Sequence, residues 1–350
     1  MSPPAPAGRI VGALFWVPLV ALLVGLSLQL SPLGEVLSRP FSDWQQRLAA
    51  PTAPPAGVLV VDIDDRSLQA LRPLLGPWPF KRDVYALVVE QLRDLGARAI
   101  AIDLLLGDAH EGDIALARAM VRPGAPVVLA AAGLRYAQDD AGPSRLLADL
   151  PATGPLQAPG LAAVLPAQPW PALALPAQTL WPTAGTPPRM GVITTPLDDD
   201  GLLRRLPLWH SWRDQRLPAL PLAVWVAVDG AAAAAELPLH WPLDTHGRVA
   251  PAFAGSAAAA PTVPFAQVAR VALGLDEPGA LAAAVQGKVV FVGSSALLAD
   301  SVMTVGGQLG GTQVLAQTYA ALRGGRLLHP PAAWGQALLL LLALVPATLT

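Results

Sequence analysis

The chain has 350 residues, of which 53% are hydrophobic and 14% charged, and its formal net charge is −2. The 23 basic residues form no run and are balanced by 25 acidic ones, so the electrostatic footprint of a nucleic-acid-binding protein is missing. Cysteine is absent, which excludes a disulfide framework. At this length a folded domain can bury enough apolar surface without one.

Two uncharged apolar stretches lie near the two ends of the chain. Residues 10–30 are long enough to cross a bilayer, which takes about 20 residues at a rise of 1.5 Å each. Residues 334–350 begin a second crossing, so we expect both stretches to contact the lipid bilayer. Arg9 is the only basic residue before the first stretch and favours a cytoplasmic tail over residues 1–9 under the positive-inside rule. A cleaved signal peptide is the alternative, although its apolar region is normally about 7–15 residues.

The second stretch is short for a membrane span. It stops at Thr350 without a basic flank, near the lower limit of about 17 residues for a crossing. We interpret the chain as a fragment of a longer protein or as a protein that lacks a further domain after the second stretch. We expect the reading frame to continue through further apolar helices. Scarce lysine beside abundant alanine and 38 prolines is typical of a GC-rich bacterial genome.

Short strands and helices alternate in the first part of the region between the two stretches. Residues 58–61 and 99–102 are continuous apolar runs that end at an aspartate, as strands buried on both faces do. Residues 82–95 between them have the apolar spacing of a helix. A helix over 113–121 and a strand over 127–131 continue the alternation, which favours a parallel sheet with right-handed crossovers.

The later part of the region is less regular. Residues 139–189 are rich in Pro, Ala and Gly and are expected to be loop. Residues 190–209, which contain the turn signal DDDG, predict a hairpin, and residues 288–292 predict another buried strand. Further predicted elements are helices over 41–48, 220–228, 263–273 and 312–322 and a strand-turn element over 240–249. The predicted fold class is α/β, a mainly parallel sheet with flanking helices, an added hairpin and Pro/Ala-rich loops, between two transmembrane helices.

Polar residues follow three of the predicted strands, at the edge where parallel sheets bind ligands. Asp62 and Asp64 follow the first strand, Asp103 follows the second, and Ser294 and Ser295 follow the last. Because side chains alternate along a strand, the first two aspartates should emerge on the same side, where they could share a cation or raise one another's pKa. We predict one pocket. The alternative is structural, since strand-end aspartates often cap helices or bond loop amides.

Arg82 is a further candidate for this pocket. It stands at the start of a predicted helix, where the helix dipole disfavours a cation. We expect a specific partner such as one of the strand-end carboxylates, and a solvated Arg82 is the alternative. The glycine pairs at 306–307 and 310–311 could present amides to an anion, but glycines in such loops more often serve turns.

Catalytic motifs are weak. Asp62-Ile63-Asp64 after an apolar strand resembles the nucleophile loop of haloacid-dehalogenase-like phosphatases, but Arg66 stands where that family has Thr or Val. The five histidines have no zinc-ligand spacing, and the G-x-S-x-G, P-loop and G-x-G-x-x-G motifs are absent. We therefore predict no metal, no cofactor and no enzymatic activity, and keep a periplasmic phosphohydrolase as an alternative.

Five segments occur in the order seen in the CHASE type 2 sensory domains, the extracellular sensors associated with cyclases and histidine kinases. They are residues 58–67 (VLVVDIDDRS), 78–82 (WPFKR), 96–104 (GARAIAIDL), 200–207 (DGLLRRLP) and 287–295 (GKVVFVGSS), with Asp300 and Gly311 after the last. The chain resembles this family over residues 35–330. The resemblance implies an extracytoplasmic sensor between one N-terminal helix and, usually, three C-terminal helices that lead to a cytoplasmic cyclase or kinase.

The main hypothesis is therefore a sensor domain, residues 35–330, on the outer side of a bacterial inner membrane. We expect it to bind a small molecule or ion of unknown identity, with Asp300 added to the pocket residues named above, and to act as a homodimer. The alternatives are the phosphohydrolase and a structural ectodomain that senses nothing.

The predicted topology can be tested by cysteine labelling, because the chain has no cysteine of its own. A single cysteine introduced by Ala141→Cys is expected to react with a membrane-impermeant maleimide in intact cells, since residues 31–333 lie between two predicted spans. Labelling that occurs only after lysis would contradict the extracytoplasmic assignment.

Overall fold

The structure, a computed structural model, describes residues 32–135, 165–181, 188–213, 215–229, 241–296 and 301–329. The chain divides into two units, one made of Met1–Leu48 and His329–Thr350 and the other of Ala49–Leu328. Helix α1 (Pro32–Ala49) supplies nearly all described residues of the first unit and contains the helix predicted over 41–48. Within the described ranges, no helix is both long and apolar enough to span a bilayer. The predicted spans, 10–30 and 334–350, lie outside those ranges.

The second unit alternates strands and helices in its first part, up to the strand Val127–Leu134, and contains runs of consecutive strands after it. Its α-helices are α2 (Asp65–Leu75), α3 (Arg82–Asp94), α4 (Asp113–Val121), α5 (Leu220–Asp229), α6 (Phe265–Ala272), α7 (Gly279–Val285) and α8 (Gly311–Gly324). Its strands are β1 (Val58–Ile63), β2 (Ala99–Ile102), β3 (Val127–Leu134), β4 (Gln168–Pro169), β5 (Ala172–Ala174), β6 (Met190–Val192), β7 (Leu206–Pro207), β8 (Trp209–Trp212), β9 (Gln215–Pro218), β10 (Arg248–Pro251), β11 (Thr262–Pro264), β12 (Val289–Ser294), β13 (Ser301–Thr304), β14 (Gly307–Gly310) and β15 (Leu327–Leu328).

A seven-stranded sheet forms the centre of this unit, with strands in the order β11-β1-β12-β2-β3 and with β5 and β6 both paired to β3. Every pairing is parallel except that of β3 with β5. The four buried strands that the sequence predicted, now β1, β2, β3 and β12, lie side by side in this sheet. The predicted α/β class with a mainly parallel sheet is confirmed.

Alternate residues of the central strands face two different hydrophobic cores. On one face, Leu59 and Val61 of β1 belong to a core with α2, α3, α4, α6 and α7. On the other face, Val58 and Val60 belong to a core with α5 and α8. Because both faces of the sheet are covered, the central strands are continuous apolar runs rather than alternating ones. This is why these strands could be predicted from the sequence.

The predicted hairpin over residues 190–209 is wrong. Strand β6 pairs with β3 in the central sheet, whereas β7 pairs with β10 in a separate three-stranded sheet. The acidic turn between them is held by Arg204, which is buried and contacts Asp198 at 2.9 Å and Asp200 at 2.8 Å. Hairpins do form elsewhere, from β8 with β9 and from β13 with β14.

The predicted loop over 139–189 contains regular structure in its described part. Strand β5 pairs with β3, and β4 pairs with β8. Trp170 anchors this segment against β3, where a Cβ on Gly133 would overlap the indole ring. The sequence also missed α2, α7 and the edge strand β11, whose residues it placed partly in the helix that begins at Phe265.

His210 lies buried on β8 beside Trp170. The indole Nε1 of Trp170 donates a hydrogen bond of 2.9 Å to His210 Nδ1, and since an indole N–H can only donate, this nitrogen must be unprotonated. Burial lowers the pKa of His210 to about 3 from its ordinary 6.5. Folding therefore favours the neutral ring.

This buried histidine predicts a loss of stability in acid. Between pH 6.5 and about 3 the unfolded chain carries the proton that the folded chain excludes, so the free energy of unfolding falls as the pH drops, by up to about 1.4 kcal/mol per pH unit. His210→Gln, which keeps an acceptor for Trp170, should flatten this dependence in urea denaturation between pH 7.5 and 4.5. Equal slopes for the variant and the wild type would rule the explanation out.

Candidate functional site

A cleft of about 540 Å³ lies at the carboxyl ends of β12, β2, β3 and β6. Its polar lining comes from Asp103, Thr194, Thr195 and Ser294. The remaining lining is mostly apolar. It comes from the strand ends, the α2–α3 and β6–β7 connections, β13 and the start of α8: Trp78, Leu104, Leu105, Ala132, Ile193, Leu197, Leu203, Ala296, Val302, Gly311, Val314 and Leu315. Such a mixture of apolar walls and few polar groups is typical of a small-molecule site.

Asp103 is the acidic group of the cleft. Its backbone N–H donates to Val292 O at 2.7 Å, which extends the β2–β12 ladder by one bond. Its carboxylate accepts a hydrogen bond of 2.6 Å from Thr312 Oγ1, and both side chains are buried. A Cβ on Gly293 would overlap the Thr312 side chain. Glycine in the GSS segment therefore lets α8 approach β12 and reach Asp103.

The two serines have different positions. Ser294 lines the cleft and donates from Oγ to Ile63 O at 3.0 Å. Ser295 donates to the Asp62 carboxylate twice, from its N–H at 2.9 Å and from Oγ at 2.6 Å. Asp62 and the serines are thus neighbours, as the shared sheet edge predicts. Neither Asp62 nor Ser295 is among the described residues that line the cleft.

Asp64 takes the structural role that the sequence left open. It is the N-cap of α2, and its carboxylate accepts a 2.7 Å hydrogen bond from the Ser67 N–H. Hydrogen bonds therefore hold Asp62 and Asp64 to different partners, which does not fit two carboxylates acting together on a phosphate. In the described part of the chain, no group of three or more His, Cys, Asp or Glu is placed to hold a metal ion.

The prediction that Arg82 pairs with a strand-end carboxylate is wrong. Its Nε lies 3.5 Å from Asp113 Oδ1, and both side chains are buried. Asp113 begins α4 and also accepts hydrogen bonds from the His110 N–H and from Thr179 Oγ1. The start of α4 packs closely against the start of α3, because a Cβ on Gly112 would overlap the backbone of Arg82 and Asp83. This close packing places the Asp113 carboxylate beside Arg82. Arg82 therefore pairs with Asp113 and is not among the described residues that line the cleft.

One predicted residue, Asp300, lies outside the described residues. The sequence missed Thr194, Thr195 and Thr312, and it interpreted Trp78 only as a packing residue. A signal for Thr312 existed, because it directly follows the paired glycines at the start of a predicted helix. The ligand-binding role of Asp103 and Ser294 stays a prediction.

Helices cover both faces of a mainly parallel sheet, and a partly polar cleft lies at its carboxyl edge, which is the architecture of an open α/β domain. The sequence model of the CHASE2 domain matches residues 17–349, nearly the whole chain. The chain therefore belongs to the CHASE2 family, a family of extracellular sensory domains. Comparison with curated proteins and with solved structures found no match.

The bond between Thr312 and Asp103 predicts a specific stability difference. Thr312→Val keeps the shape of the side chain but removes the donor, and losing a hydrogen bond to a buried carboxylate costs about 1.5–3 kcal/mol. Thr312→Ser retains the hydroxyl and is the matched control. We expect urea denaturation to separate the two variants by this amount. Equal stability would show that the hydroxyl contributes nothing.

Proposed function

We propose that this chain is the signal-input region of a bacterial membrane receptor and that it binds its stimulus in the cleft around Asp103 and Ser294. Membership of a sensory domain family supports the general role. The position of the cleft supports the site, because open α/β sheets bind ligands outside the carboxyl ends of their strands. The ligand is a small molecule or ion whose identity is open.

The proposal rests mainly on the position of helix α8, which joins the cleft to the C-terminal end of the domain. Its first turn lines the cleft through Gly311, Val314 and Leu315. The helix then continues unbroken to Gly324, a length of about 20 Å at 1.5 Å per residue. Five residues after its end the chain enters the segment that leads to the predicted C-terminal span. A ligand that contacts the first turn is thus joined by one helix to the end of the sensory domain.

The receptor context extends this proposal. The two apolar stretches, residues 10–30 and 334–350, support one membrane crossing on each side of the sensory domain. We propose that the domain lies outside the inner membrane, that it acts as a homodimer, and that a cyclase or kinase module receives its signal. An output module is required because ligand binding alone reports nothing unless it shifts an equilibrium between two states.

A thermal-shift screen of the full chain in detergent against metabolites and ions tests the site. A compound that binds only the folded state must raise the melting temperature. Thr195→Trp fills the cleft, and Thr245→Trp makes the same substitution in the exposed turn before β10. We expect a stabilising compound to act on the wild type and on Thr245→Trp and to lose its effect on Thr195→Trp.

Two results would contradict this function. A stabilising compound that acts equally on Thr195→Trp binds somewhere other than the cleft. Hydrolysis of a phosphate ester by the chain with Mg²⁺, abolished by Asp62→Asn, would instead favour the phosphohydrolase.

A further inference from the structure

A second cavity, of about 410 Å³, lies along the later turns of α8. Small residues of the linker before β1, of the segment after β10 and of α8 itself form most of its wall. The polar side chains in its lining are Gln317, Arg323 and Arg326. No acidic residue is among the described residues of the lining, so the polar side chains mainly offer hydrogen-bond donors.

Gln317 has a buried donor without a partner. Its Oε1 accepts a 2.8 Å hydrogen bond from the Ala254 N–H, and because that group can only donate, the bond fixes which end of the amide faces it. The other end, Nε2, is buried and has no hydrogen-bond partner. An unpaired buried donor destabilises the folded state, and native proteins rarely leave one unpaired. An acceptor in the cavity would satisfy it.

The end of α8 brings two guanidinium groups to the same cavity. Gly325 adopts a left-handed conformation with φ 64°, and the Arg326 N–H donates to Ala321 O at 3.0 Å. The chain therefore reverses after the helix, and Arg326 lines the cavity together with Arg323. Nη1 of Arg323 extends toward the linker wall, 3.5 Å from where a Cβ on Gly57 would lie. Both arginine side chains belong to exposed residues, so they are accessible to a ligand.

We propose that this cavity is an oxyanion site that binds a phosphate group. Two guanidinium forks and an amide N–H₂ present donors, with no acidic side chain among the described lining residues. This is the chemistry that recognises phosphate. The group is either free phosphate or the headgroup of an anionic phospholipid. The headgroup form rests on the proposed membrane topology, since the lining segments 51–57 and 317–326 are those of the second unit closest in sequence to the predicted spans.

Calorimetric titration of the purified full chain with inorganic phosphate in detergent tests the site. Arg323→Gln with Arg326→Gln is expected to weaken phosphate binding by about tenfold or more, as for a lost charge-assisted hydrogen bond. Arg66→Gln with Arg72→Gln removes the same charge from exposed positions on α2 and should leave the affinity unchanged. Gln317→Glu keeps the acceptor for Ala254 but replaces the buried donor with an oxygen, and should abolish binding.

The same titration in nanodiscs distinguishes the two sources of phosphate. If a headgroup occupies the site, phosphatidylglycerol in the disc should weaken the apparent affinity for phosphate relative to phosphatidylcholine alone. Unchanged affinity assigns the site to free phosphate. Circular dichroism of each variant checks folding. If Gln317→Glu does not fold, the comparison of the Arg323/Arg326 double variant with the Arg66/Arg72 double variant still decides the test.

The site proposal is overturned if the wild type binds no phosphate in detergent or in phosphatidylcholine discs, or if the two arginine pairs give equal affinities. The titration uses no cleft ligand. Its failure therefore leaves the proposed sensor function standing, and a failed cleft screen leaves the phosphate site standing.

Discussion

The insertion of β12 between β1 and β2 is the interaction on which the rest of the domain depends. Residues 289–294 pair along their whole length with β1 and over four residues with β2. Before this strand is in place, β1 and β2 have no common neighbour. Its insertion joins a late segment of the chain to two early ones, and such non-local pairing is slow because the intervening loop must first be closed.

The same insertion builds the strand-end cluster. It brings Ser295 to the Asp62 carboxylate, places Ser294 against Ile63 and gives Asp103 the carbonyl of Val292 as a backbone partner. Asp62 and Ser295 then lock the ends of two strands, whereas Asp103 and Ser294 reach the cleft. Asp103 and Ser294 each make a side-chain hydrogen bond within the fold, which fixes their orientation. Such preorganisation would lower the entropy lost if a ligand binds.

The strands of the central sheet could be predicted because their signal is local. A strand covered on both faces must be apolar along its length, and residues 58–61, 99–102 and 289–292 show this directly. The hairpin over 190–209 failed for the opposite reason. The DDDG turn is a local signal, but the partners of β6 and β7 are β3 and β10, and only the assembled sheets determine those pairings.

Some residues of the candidate site could likewise be predicted from local sequence, and others could not. The strand-end rule found Asp103 and Ser294, because it needs only the direction of the strands. Thr195 follows β6, which the sequence placed in a hairpin and the structure places in the central sheet. Thr312 reaches Asp103 from the start of α8, and no local pattern indicates which helix approaches that aspartate. Arg82 needed a carboxylate, but the choice of Asp113 depends on how α3 packs against α4.

Helix α8 contributes to both cavities, its first turn to the cleft and its later turns to the second cavity. A ligand that shifts this helix at one site changes the binding affinity at the other site, so the two sites are coupled through the helix. This coupling is reciprocal, because an occupant of the second cavity that changes affinity in the cleft by some factor has its own affinity changed by the same factor. If both proposed sites bind their ligands, the affinity of the cleft for its stimulus would therefore depend on the concentration of phosphate or anionic lipid around the protein.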